Sequence, residues 1–413
     1  MRFLKLITLS VIVFLQSWAY ADTQYVLQPS GPFGVGYQDF WWVNQAVCPD
    51  FFYNGSNQVD YSKTNTHFCR EIMARVYYPA STSGISSPYY PALIAQLQAE
   101  LPQAGIPEIT PAMIQALSNI TTFTYENAPI IPNQTFPVVI FNPGLMSPVE
   151  AYVNVISDLA SHGYIVVAVN NTFIGDPIQF PDGRIVNTST TTTEQEFEEA
   201  PATDITYAYQ QILNNPMHSP IFAAMNTQEI GMLGHSLGAV MTVITAHTHP
   251  EWIKAAVAME ATYDPPNYSP LSGFSIPFMH MHGSYWRAMY PDAAKAGPFQ
   301  LTKNEYYVVM APAGAPPTYT EHNNFGDTST LQYQPALQIF NEKTPVTPPL
   351  TNQLEVGTAP GFQTDRLINQ YIVQFFDYFL KGEQDNRNVA TFKDCVPISM
   401  NSQLICGLGA TNS

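Results

Sequence analysis

The chain has 413 residues, 46% of them hydrophobic and 13% aromatic, enough to bury one large α/β domain or two smaller ones. Charged residues make up only 11%, the formal net charge is −17, and no basic run occurs. That balance excludes a nucleic-acid partner and tight docking on an anionic membrane, since both need clustered Lys and Arg.

The N-terminal stretch reads as a signal peptide over residues 1–21. Arg2 and Lys5 are followed by the apolar run Leu6–Leu15, too short to span a bilayer, and Ala19-Tyr20-Ala21 is a small-x-small cleavage site. The expected location is therefore secreted or periplasmic. Four cysteines fit that compartment, and the local pairing Cys48–Cys69 and Cys395–Cys406 is expected because each pair sits in its own terminal segment. Metal binding would want C-x-x-C spacing, so no metal and no cofactor are expected.

Residues 22–70 are aromatic and turn-rich without helical period, and "DFWWV" within them reads as core. "RVYYP" (75–79) reads as a strand. Residues 81–135 read as an insertion with short helices, broken by Pro91, Pro102, Pro107 and Pro111. It is either a lid with lipid-interface contact or packing over a sheet edge. "FPVVIFNPG" (136–144) and "YIVVAVN" (164–170) read as buried parallel strands, with helical spacing over 148–162 between them. The polar stretch 171–198 reads as a surface excursion and 200–214 as a helix. Further strands are expected at 229–236, 253–260, 275–283 and 305–313, and helices at 237–248 and 364–381. Strands alternating with amphipathic helices predict a mostly parallel sheet covered on both faces. The expected organisation is a catalytic domain over 22–385 and a disulfide-stapled extension over 386–413.

"GMLGHSLGAV" (231–240) places Ser236 between Gly234 and Gly238, with a strand before it and a helix after it. Such a turn lifts a serine hydroxyl clear of the sheet and aims the Leu237 N–H at an oxyanion. A serine needs a base. His247 and His249 lie at the far end of the following helix. His280 and His282 share a strand face and read as core or rim residues. His322, in the polar loop "TYTEHNNFGD", has the right place in the chain order Ser, acid, His. The acid that orients it is Glu260, Asp264 or Asp292, and pattern alone does not choose.

Four phrases, "IFNPGLMSPVEAYVNVISDLASHGYIVVAVNN", "MLGHSLGAV", "AAVAMEATYDP" and "TYTEHNNFGD", together resemble the secreted, plasma-type platelet-activating-factor acetylhydrolases and their bacterial relatives. The resemblance runs from Arg75 to Lys381. It implies an α/β-hydrolase fold with the helical insertion before the oxyanion strand, and Ca²⁺-independent removal of short sn-2 acyl groups from phospholipids. It implies Ser236, His322 and Glu260 as the triad, with Asp264 as the alternative acid because the family carries Asp where Glu260 stands. The family's His-Gly-Leu-Gly phrase appears here as Pro143-Gly144-Leu145-Met146. Pro143 has no N–H, so the expected oxyanion donors are the Leu145 and Leu237 amides. The wider alternatives are a carboxylesterase, lipase or cutinase-like polyester hydrolase, and, from another class, a catalytically inactive secreted binding protein.

Overall fold

The computed structural model describes residues 25–55, 59–81, 86–104, 111–189, 193–261, 274–284, 305–310, 319–333, 356–383, 396–398 and 403–405. The expected signal peptide, Asp264, Asp292, Cys395 and Cys406 lie outside the described residues.

In chain order the strands are β1 (Gly34–Asn44), β2 (Arg70–Ala80), β3 (Thr124–Glu126), β4 (Phe136–Asn142), β5 (Ile165–Asn170), the short hairpin β6 (Ile178–Gln179) and β7 (Ile185–Val186), then β8 (Met225–His235), β9 (Ala255–Met259), β10 (Phe278–Gly283) and β11 (Glu305–Met310), and last β12 (Val396–Ile398) and β13 (Gln403–Ile405). Nine of them form one sheet in the order β3-β1-β2-β5-β4-β8-β9-β10-β11. All neighbours pair parallel except β2, which runs antiparallel to both β1 and β5. The sheet is mostly parallel, as the alternation of buried strands and helices predicts, and it is the α/β-hydrolase sheet that the resemblance implies.

The central strands are apolar on both sides because helices cover both faces. Helices α3 (Val153–Ser161) and α6 (Gly361–Leu380) bury Ile156, Leu159, Ile372 and Phe376 against Val139, Phe141 and Val166. On the other face α4 (Glu194–Asn214) and α5 (Leu237–Thr248) bury Ala208, Ile212, Val240 and Met241 against Val138, Ile140 and Val167. The insertion holds α1 (Pro91–Ala104) and α2 (Pro111–Ser118), as expected, and Tyr89, Leu117 and Ile120 join the first cluster.

Three elements differ from the sequence reading. The stretch 171–198, expected as a surface excursion, carries the β6–β7 hairpin and buries Phe173, Ile174, Ile178, Phe180 and Val186 in a core cluster of their own. The turn-rich N-terminal segment contains an 11-residue strand, β1, whose residues Gly34 to Asn44 pair with Ala80 to Arg70. Helix α4 starts six residues earlier than the predicted 200, inside what reads as a surface excursion. Thr193 caps it by accepting from the Glu196 N–H, while Glu196 reaches back to the Thr193 N–H.

The Cys48–Cys69 disulfide closes the loop between β1 and β2, with a sequence separation of 21. Beside it the fully buried Arg70 donates from Nε and Nη2 to Asp204 of α4 at 2.9 and 2.7 Å. Removing the disulfide with Cys48→Ala/Cys69→Ala should lower unfolding stability by about 3 kcal/mol through the freed loop entropy. Urea denaturation of oxidised wild type against the double variant measures this, and an unchanged midpoint would refute it. At the C-terminal end β12 and β13 pair antiparallel, with Val396 opposite Ile405.

Candidate active site

Strand β8 ends at His235, and Ser236 follows with φ 54° and ψ −118° before Leu237 opens α5. That backbone is uncommon for a non-glycine residue and is held by its surroundings. The Ser236 N–H donates to the Met259 carbonyl at 3.0 Å, which ties the turn to the end of β9. The two flanking glycines are required by close approach. A Cβ on Gly234 would lie 2.1 Å from the Gly238 oxygen, and one on Gly238 would lie 2.0 Å from the Asn142 oxygen. Ser236 itself is half-buried, and its hydroxyl has no hydrogen-bond partner among the described residues.

The next strand carries the carboxylate. Glu260 follows β9 directly, with φ 50°, and is fully buried. Its N–H donates to the Met281 carbonyl at 2.8 Å, and its Oε1 accepts the Gly283 N–H. Its Oε2 lies 3.6 Å from Nδ1 of His322, whose side chain keeps 28% exposure. The structure thus brings Glu260 and His322 together. His280 and His282 are both buried on β10, as core residues. His282 Nδ1 lies 4.0 Å from Glu260 Oε1. Burial pushes its pKa down to about 4, so it is neutral at pH 7 and does not compete for the carboxylate as a cation.

His322 opens a short 3₁₀ turn, His322–Phe325. The residues after it fix that turn. Asn324 Oδ1 accepts the N–H groups of Glu321 at 2.7 Å and Gly357 at 2.9 Å. Asp327 accepts from the Val153 and Asn154 N–H groups at 2.8 and 2.9 Å, anchoring the loop on the first turn of α3. Phe325 is buried and stacks on the His235 ring with centroids 6.2 Å apart. The His322 ring lies 4.6 Å from that of His235, the residue directly before Ser236. The His322 loop therefore sits against the Ser236 turn. Hydrogen bonds of such constellations commonly shorten only when substrate is bound.

After β4 the loop Pro143–Met146 faces the same turn. A Cβ on Gly144 would be 3.2 Å from Ser236 Cβ. Among the described residues nothing accepts from the Leu145 N–H or the Leu237 N–H, which leaves both amides free to meet an oxyanion. Met146 has φ 57° and donates its N–H to the Ile174 carbonyl at 2.9 Å. The left-handed conformation that a glycine would favour is thus kept by a methionine. Leu145 and Met146 are 41% and 60% exposed, an apolar rim beside the serine.

Two residues of this site escaped the sequence reading. Tyr152 is fully enclosed, and burial pushes its phenol up to about 12. Its hydroxyl accepts the Gly144 N–H at 3.1 Å and lies 2.8 Å from His235 Nδ1. His235 Nε2 in turn lies 3.0 Å from the His322 carbonyl oxygen. In sequence, Tyr152 belongs to the apolar stripe of a helix and His235 is a variable position of G-x-S-x-G, so neither carries a signal of its own.

Residues 21–172 match the family of platelet-activating factor acetylhydrolase, isoform II. The stretch shared with that acetylhydrolase family contains the Pro143–Met146 loop, Tyr152 and α3, and it ends before Ser236. A ferulic acid esterase from Streptomyces cinnamoneus, solved at 2.4 Å, is similar in structure with a TM-score of 0.62 and 19% sequence identity, over 88% of this chain and 95% of that one. At that identity the similarity establishes the α/β-hydrolase fold. No curated protein matches the chain.

Proposed function

We propose that the protein is an exported serine esterase that hydrolyses short-acyl carboxylic esters, with sn-2 acyl groups of phospholipids as the preferred class. The observation that carries the reading is the meeting of the buried Glu260 carboxylate with His322 at 3.6 Å, on a loop packed against the Ser236 turn. In this reading His322 removes the Ser236 proton, the hydroxyl oxygen attacks the ester carbonyl, and the Leu145 and Leu237 amides hold the oxyanion. Glu260 stabilises the imidazolium, which then protonates the leaving alcohol. Water, deprotonated by the same imidazole, releases the acid from the acyl-enzyme. The match to the acetylhydrolase family over residues 21–172 supports ester hydrolysis and the phospholipid preference. The Cys48–Cys69 disulfide supports export, and no helix among the described residues is long and apolar enough to cross a membrane.

The apolar rim of Leu145 and Met146 favours a second reading on the same chemistry, a broader carboxylesterase or polyester hydrolase that takes bulky apolar esters. A series of aryl esters of rising acyl length, set beside an sn-2 acetyl phospholipid, separates the two. The first reading expects kcat/KM to fall at least tenfold from acetyl to octanoyl, with the phospholipid turned over. A rising profile and no phospholipid turnover would favour the second.

A further inference from the structure

The hydrogen bonds through Tyr152 and His235 have only one consistent polarity. The Gly144 N–H can only donate, so the Tyr152 oxygen accepts it. The His322 carbonyl can only accept, so His235 carries its proton on Nε2. Burial, followed by the neighbouring His322, holds the His235 pKa well below the ordinary value, so the ring is neutral and Nδ1 is bare. Tyr152 then donates its own proton to Nδ1 at 2.8 Å. Every hydrogen in the chain has an acceptor, and no polar atom in it is left over.

The ends of this chain matter. Gly144 precedes Leu145, the proposed oxyanion donor. His235 precedes Ser236, the proposed nucleophile. The His322 carbonyl belongs to the proposed base. Three segments from three separate loops are thus joined by two side chains that have no place in the triad. We propose that Tyr152 and His235 are positioning residues that fix the oxyanion loop and the base loop relative to the serine turn, a role that rests on the esterase reading above. The chain aligns groups that act on charge developing in the transition state. Its loss should therefore appear in kcat rather than in KM.

The test is steady-state kinetics of the full mature chain on an aryl acetate. Tyr152→Phe keeps the ring but removes the phenol's hydrogen bonds with Gly144, His235 and Ser147. It should lower kcat by about 10- to 100-fold, with KM within about twofold of wild type. His235→Gln offers one acceptor and one donor on a planar side chain and should retain kcat within about fivefold, whereas His235→Leu should fall as far as Tyr152→Phe. A purely structural role would lower the melting temperature and leave the kcat of the folded fraction intact, and would not be rescued by glutamine. Wild-type kcat in folded Tyr152→Phe, or equal losses in His235→Gln and His235→Leu, would overturn the proposal. Should Tyr152→Phe fail to fold, the His235 pair decides by the same criterion. Ser236→Ala keeps the two outcomes apart: turnover surviving there defeats the esterase reading, while an inactive Ser236→Ala beside a fully active Tyr152→Phe defeats only the positioning chain.

Discussion

Ser236→Ala is expected to reduce ester turnover by about four to six orders of magnitude while leaving the protein folded. The size follows from the proposed role: Ser236 is the residue that follows β8, on a turn against which the His322 ring packs through His235. The intact fold follows from the environment. The Ser236 hydroxyl has no hydrogen-bond partner among the described residues, so its loss orphans nothing. The backbone at φ 54° is as unfavourable for alanine as for serine, and its restraint comes from the Ser236 N–H to Met259 bond, which survives. The melting temperature should stay within about 2 °C of wild type. Hydrolysis of an aryl acetate, monitored alongside thermal unfolding, reads both quantities. A folded variant with more than about 1% of wild-type kcat would refute the assignment of the nucleophile.

Glu260→Gln should cost about four orders of magnitude in kcat. The glutamine oxygen can still accept the Gly283 N–H, so the side chain keeps its place in the buried pocket. What goes is the negative charge facing His322 Nδ1 at 3.6 Å. Without it the imidazolium formed during attack has lost the buried carboxylate that faces it. The amide also presents a donor to Nδ1, which favours the tautomer with its proton on the side facing the serine. KM should change little, because the charge acts only once the imidazole is protonated. A kcat within tenfold of wild type would move the acid role away from Glu260 and back to Asp264.

The fold is legible in the sequence wherever burial is two-sided. Val138–Phe141 and Ile165–Val169 are continuous apolar runs because helices cover both faces of the sheet. Strand β1 escapes notice because Gly34, Gly36, Gln38 and Asp39 break the apolar pattern. Gly36 is there because a side chain would strike the ring of Tyr78 at 2.6 Å, a reason that exists only after β1 and β2 pair. The first turns of α4 read as a loop because the sequence there is polar and acidic, although the Thr193–Glu196 pair is a local start signal.

The same division holds at the site. Ser236 is visible because its two glycines are imposed by local backbone contact. His322 is visible through the residues after it, and the structure supplies their reasons: Asn324 bridges two N–H groups, Phe325 packs on His235, and Asp327 caps α3. Glu260 could not be chosen by pattern, since what aims it is its φ of 50° and its bond to the Gly283 N–H across the sheet. Tyr152 and His235 were invisible for the same reason, as their partners lie 8 and 87 positions away.

The most direct test of the central claim is covalent capture of the nucleophile. The protein is treated with one equivalent of a fluorophosphonate and mapped by peptide mass spectrometry, with residual activity followed in parallel. The account predicts a single phosphonyl adduct on Ser236 and a loss of turnover in proportion to its occupancy. An adduct at another residue, or full turnover with Ser236 occupied, would contradict it.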